Sequence, residues 1–243
     1  MRGKNTNAMN ILITGGSKGI GKAIATELAA RGHDLCLVAR EHEHLVETAK
    51  VLVDQHHVSV IVKTADISRP EAVQSIKNFC QEKNFTPDVL ILNAGIWLAG
   101  AIETSTPKNF STMMETNVGA AFSFVREFVP LMKKLPYGRI ILTGSTAGIE
   151  PHHRDGGSLY SVTKWAIHGL AVNLRQELLM TNIGVTHIAP GSVATPMWDP
   201  EEIQADRMLA ASDIAKLVAT TLELSPQAVV EEIVVRPQHG NIS

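Results

Sequence analysis

Tyr160 and Lys164, in the run YSVTK, stand four residues apart. On a helix this spacing puts a phenol and an ammonium on one face, within reach of each other. A fixed cation stabilises a phenolate, so the tyrosine would release its proton nearer neutral pH and could protonate a substrate oxygen. The same spacing also occurs on ordinary solvated helices. Ser145, in RIILTGSTAG, narrows the reading. It follows an apolar run of strand type and so falls at the C-terminal edge of a sheet, where open α/β sheets bind ligands. A hydroxyl to position a carbonyl, a phenol to protonate it and a cation beside them form a set suited to acid–base chemistry on oxygen.

The elements that must position these groups follow from apolar periodicity. Asn10 to Thr14 (NILIT) reads as a strand, TGGSKGIG as a turn and AIATELAARG as a helix stopped at Gly32. Gly15, Gly19 and Gly21 have GxxxGxG spacing. Glycine there lets the chain turn tightly, lets a pyrophosphate approach the backbone, and lets the helix lie close to the sheet with its N-terminal N–H groups facing the anion. A second strand, Leu35 to Ala39, ends at Arg40 without a carboxylate. An arginine at that place accommodates a 2′-phosphate, whereas a carboxylate would hold the ribose 2′-OH. Lys18 can add a second positive charge, and Glu41 stands close enough to reach the ribose instead.

Further strands are expected in VSVIVKTADIS to near Asp66, at Asp88 to Leu92, at Arg139 to Thr143, in VTHIAP, and in EEIVVRP. Helices are expected from Glu41 to Gln55, after Ser68 with Glu71 in capping-box spacing, from Thr106-Pro107 to about Lys134, from Tyr160 to about Met180, and after Ser212. Strands alternating with helices predict an α/β fold: a Rossmann-like, doubly wound, parallel seven-stranded sheet with helices on both faces. Residues 1–9 read as a flexible tail and 10–243 as one domain.

The 243 residues carry a net charge of −2 with no basic cluster, so general attraction to nucleic acid or to an acidic membrane is not expected. No apolar run is long enough to span a bilayer, and the polar start lacks a signal-peptide centre. Cys36 and Cys80 form no CxxC, which fits a reducing compartment, the cytoplasm by default, and speaks against zinc. The histidines at 42, 44, 56 and 57 lack companion ligands, so no metal is expected.

Together the glycine turn, Asn93-Ala94-Gly95 after the fourth strand, Ser145 and YSVTK resemble the short-chain dehydrogenase/reductase family, in that family's order and over nearly the whole chain. The resemblance implies hydride transfer between NADP(H), with NAD(H) as the lesser alternative, and a small carbonyl or secondary-alcohol substrate. It implies Ser145 holding the carbonyl, Tyr160 as general acid and base, Lys164 on the nicotinamide ribose, and Asn117 anchoring a water that feeds protons to Lys164. It further implies cofactor contacts at Gly15, Ser17, Lys18, Gly19, Ile20, Gly21 and Arg40. Asp66 and Ile67 would meet the adenine, and Asn93, Ala94 and Gly95 the ribose on the nicotinamide side. The turn Pro190, Gly191, Val193, Thr195 would meet the carboxamide and phosphates. Trp97 reads as a wall of the substrate site or as packing; Met197, Trp198 and the segment to Met208 would form a lid, and two helices would build a dimer or tetramer. His168 reads as packing. His152, His153, Arg154 and Asp155 read equally as substrate contacts or solvated loop. A sensor or scaffold that binds NADP(H) without chemistry is the competing class.

Overall fold

A computed structural model describes residues 8–150, 156–198 and 200–242. The strands are β1 (Asn10–Thr14), β2 (Asp34–Ala39), β3 (Val60–Thr64), β4 (Val89–Leu92), β5 (Gly138–Thr143), β6 (Ile183–Pro190) and β7 (Glu232–Val235). They form one parallel sheet in the order β3-β2-β1-β4-β5-β6-β7. The helices are α1 (Gly19–Ala30), α2 (His42–His56), α3 (Ala72–Glu82), α4 (Pro107–Met114), α5 (Ala120–Met132), α6 (Ser158–Leu178) and α7 (Ala211–Glu223).

Successive strand residues point to opposite faces, and both faces are covered, so the strands read as unbroken apolar runs. Ile11 and Ile13 of β1 pack with Leu28 of α1 and Val218 of α7, while Leu12 between them faces Phe124 and Phe128 of α5 and Ala171 of α6. Strand order reverses between β1 and β4. The loops leaving them diverge, and a crevice opens at the C-terminal edge of the sheet.

Local signals hold where nothing competes with them. Gly32 takes φ +86 just past α1, and Thr106 accepts a hydrogen bond from the Asn109 N–H (3.1 Å) at the start of α4. Two expected caps do not form. The Ser68 hydroxyl donates to the Asp66 carboxylate (2.8 Å) instead of capping a helix, and α3 starts later, at Ala72. Ser212 lies inside α7, whose flanking residue is Ala210. The long helix expected after Pro107 is broken by a π-helical turn, Glu115–Gly119, that separates α4 from α5 and carries Asn117. Met9, placed in the tail by sequence, is tied down: its N–H donates to His33 Nδ1 (3.2 Å) and its carbonyl accepts from Asp34 (3.0 Å).

Candidate functional site

A cleft of about 770 Å³ lies along the C-terminal ends of β1, β2, β4, β5 and β6. The glycine turn after β1 forms one end. Gly15 (φ +69) and Gly19 (φ +51) hold conformations that side chains rarely adopt, and with Ser17, Lys18 and Ile20 they face the cleft. The first turn of α1 carries no acidic residue and Lys18 supplies no side-chain cap, so the positive end of the helix dipole is directed at whatever lies there. Gly21 does not line the cleft. A Cβ on it would sit 2.1 Å from the Gly15 carbonyl oxygen, so it is glycine to let the helix meet the turn.

At the end of β2, Arg40 and Glu41 both line the cleft, with Asp66 and Ile67 after β3. The Lys18 ammonium donates to both Glu41 oxygens (2.8 and 3.0 Å), so the cation expected at a phosphate is held by a carboxylate. The Asp66 carboxylate accepts from the Ser68 N–H and hydroxyl (3.2 and 2.8 Å); these bonds, aided by Arg40 and Arg69, draw its pKa down.

Past the centre of the sheet, Asn93 braces two strands: its side-chain amide donates to the Thr14 carbonyl (3.2 Å), while its N–H and that of Ala94 donate to the Thr14 hydroxyl (3.0 and 3.1 Å). Gly95 leaves room for two groups, since a Cβ there would lie 3.2 Å from Asn117 Oδ1 and 3.7 Å from Lys164 Nζ. Asn117 is buried with both amide hydrogens engaged. It accepts from the Ile96 N–H (2.8 Å) and donates to the Ile96 carbonyl and the Thr163 hydroxyl (both 3.0 Å). Thr163, on the same turn of α6 as Tyr160 and Lys164, carries no sequence signal for this bond.

Ser145, Tyr160 and Lys164 converge on this part of the cleft. Tyr160 shares a hydrogen bond with Ser145, and its ring lies 5.0 Å from that of Trp97, centroid to centroid. The Lys164 ammonium donates to the Thr143 carbonyl (3.0 Å) and stands 5.3 Å from the Tyr160 ring centre. Burial decides the ionisation of both groups. It raises the phenol to about 12, against a smaller downward pull from Ser145, and lowers the ammonium to about 8. Desolvation thus outweighs the hydrogen bond from Ser145 at the phenol. Near neutral pH the phenol keeps its proton, and the ammonium gives up its own more readily than an exposed lysine does.

The turn after β6 brings Pro190, Gly191, Val193 and Thr195 to the cleft, followed by Met197 and Trp198. Sequence reading gave no sign that Glu150, Arg236 and the chain end at Gly240–Ile242 would line it too. His168 does pack, its ring stacked 4.8 Å from that of His187, and both imidazoles approach Glu232 (3.3 and 3.0 Å). With the rings nearly parallel, at 11°, they read as a hydrogen-bonded brace between α6, β6 and β7. His152, His153, Arg154 and Asp155 lie outside the described residues.

Residues 9–206 match the model of the family described as short chain dehydrogenase. The chain is 32% identical over 247 residues to a sepiapterin reductase of Chlorobaculum tepidum, covering 96% of this chain and 97% of that protein. Among solved structures, it superposes with a TM-score of 0.88 on an alcohol dehydrogenase of Thermococcus sibiricus complexed with 5-hydroxy-NADP, at 27% identity over 97% of this chain and 99% of the other. An L-sorbose reductase of Gluconobacter frateurii, complexed with NADPH and L-sorbose, gives 0.86 at 27% identity over 94% and 95%.

Proposed function

This chain belongs to the short chain dehydrogenase family, and on that footing we propose that it is an NADP(H)-dependent oxidoreductase interconverting a carbonyl and a secondary alcohol. The observation that carries the reading is one cleft shared by the glycine turn at one end and the hydrogen-bonded pair Ser145–Tyr160, with buried Lys164 behind it, at the other. Positive-φ Gly15 and Gly19 and the uncapped start of α1 fit a diphosphate, and Arg40 fits a 2′-phosphate. When bound, the nicotinamide supplies or accepts the hydride.

The chain's own residues do the rest. The Ser145 hydroxyl holds the substrate oxygen beside the Tyr160 phenol, which gives up its proton as negative charge develops there. General acid catalysis of this kind contributes roughly 10²–10⁴ in rate. A phenol raised to about 12 is a weak acid in the open cleft, so the cation at Lys164 matters most as the phenolate forms. Lys164 also holds the ribose hydroxyls, and Asn117 anchors the water that returns its proton. Gly15, Ser17, Lys18, Gly19 and Ile20 receive the phosphates, Asp66 and Ile67 the adenine, Asn93, Ala94 and Gly95 the ribose, and Pro190, Gly191, Val193 and Thr195 the carboxamide.

The buried free thiols Cys36 and Cys80, 3.9 Å apart, support a cytoplasmic setting. Exposed Phe122 of α5 and Val162, Trp165 and Val172 of α6 support a homo-oligomer built through these helices. The test is a panel of aldehydes and ketones assayed for NADPH consumption. Turnover with at least one supports the reading. Tight NADPH binding with none consumed favours the sensor.

A further inference from the structure

The chain end after β7 lies beyond the residues matched to the family and folds back over the cleft. Asn241 there makes two hydrogen bonds to different turns. Its Oδ1 accepts from the Ser192 N–H (3.0 Å), and its Nδ2 donates to the Thr146 hydroxyl (3.1 Å). A third bond, from the Ile242 N–H to the Ser192 hydroxyl (3.0 Å), fixes the tail on the same turn. Thr146 directly follows Ser145, and Ser192 directly precedes Val193. One side chain therefore bridges the turn after β5, which carries the hydroxyl for the substrate oxygen, and the turn after β6, which faces the nicotinamide end. The approach is close: a Cβ on Gly191 would meet Asn241 Oδ1 at 2.1 Å.

We propose that Asn241 is a positioning residue that sets the spacing of these two turns and so keeps Ser145 in register with the nicotinamide side of the cleft. The role rests on the oxidoreductase reading. Each turn is already tethered to its own neighbouring strand, through Gly144 N–H to the Ile188 carbonyl (2.7 Å) and Gly191 N–H to the Val235 carbonyl (2.8 Å). What Asn241 adds is a crosslink between the turns beyond the sheet edge, where the pleated ladder no longer fixes their separation. Asn241 is itself exposed on its outer side, so its loss removes little buried surface. Reactivity is far more sensitive than stability to such a loss, because a misplacement of about 1 Å can cost about 10²-fold in rate.

Asn241→Leu removes both bonds at similar size, whereas Asn241→Asp keeps the acceptor for Ser192 and can accept from the Thr146 hydroxyl. With NADPH and an accepted carbonyl, the leucine variant is expected to lose roughly ten- to a hundredfold in kcat. Its NADPH affinity and melting temperature should hardly move, and its primary isotope effect with deuterated NADPH should rise as hydride transfer becomes limiting. The aspartate variant should recover most of the rate, and hydrogen exchange at the Ser192 amide should quicken in the leucine variant only. A leucine variant with kcat within about twofold of the parent, an aspartate variant equally impaired, or a rate loss that tracks a falling melting temperature would each overturn the positioning role while leaving the oxidoreductase reading intact. A parent chain that oxidises no NADPH with any carbonyl overturns that reading, and this role with it.

Discussion

Replacing Lys164 by methionine should abolish turnover and also change how stability depends on pH. The ammonium is buried and its pKa falls from 10.5 to about 8 through desolvation alone. Above 10.5 both folded and unfolded chains hold a neutral amine, and burial carries no ionisation cost. As pH falls toward 8 the unfolded chain takes up a proton that the folded chain refuses, and stability is lost; below 8 both are charged and the deficit stays. Spread over that interval at about 1.36 kcal/mol per pH unit, the deficit is about 3 kcal/mol, most of which develops between pH 10 and pH 7. Lys164→Met removes it. The variant also strands the Thr143 carbonyl, at a cost of about 1–3 kcal/mol that does not depend on pH. The decisive quantity is thus the pH dependence of the difference. Urea unfolding of parent and variant at pH 7, 8, 9 and 10 should show the variant gaining on the parent by about 2–3 kcal/mol as pH drops from 10 to 7. Parallel profiles would mean that the folded state binds the Lys164 proton as readily as water does, and the account of a buried, strained charge would fail.

Cofactor preference should reverse in Arg40→Asp, with NADH binding more tightly than NADPH by titration calorimetry; unchanged preference would discard the phosphate assignment. Glu41→Gln frees Lys18 from an exposed, water-screened pair, so NADPH affinity should rise, by up to about fivefold. Asn117→Leu leaves the Ile96 N–H and carbonyl without their partner, while the Thr163 hydroxyl keeps its bond to the Tyr160 carbonyl, so denaturant unfolding should register a loss of about 2–4 kcal/mol. Trp165→Glu puts a charge on the exposed face of α6; sedimentation should find smaller particles than for the parent, and an unchanged mass would exclude that face as an interface.

Much of this architecture was legible because each signal had a local cause. Strands buried on both faces must be apolar throughout, as Ile11 to Ile13 and Val89 to Leu92 are. A turn needing positive φ selects glycine, hence Gly15 and Gly19. Helical spacing alone stacks Tyr160 and Lys164. What escaped was decided by partners far along the chain or by competition between neighbours. Asn241 meets Thr146 across 95 residues with nothing in either neighbourhood to announce it. The π turn at Asn117 leaves the apolar period around it nearly intact. The cation of Lys18 is visible in the sequence, whereas its pairing with Glu41 depends on how two loops meet. Ser68 looked like a cap until Asp66 claimed its hydroxyl. The depth at which Tyr160 and Lys164 are buried is likewise not displayed by the sequence, which shows only their spacing.

The central claim is that the Tyr160 phenol delivers the proton in a reaction driven by NADPH, and Tyr160→Phe tests it most directly. The variant should bind NADPH as the parent does, by fluorescence titration, and consume it at least about a hundredfold more slowly with any carbonyl that the parent reduces. A phenylalanine variant that turns over at a near-parental rate would contradict the account.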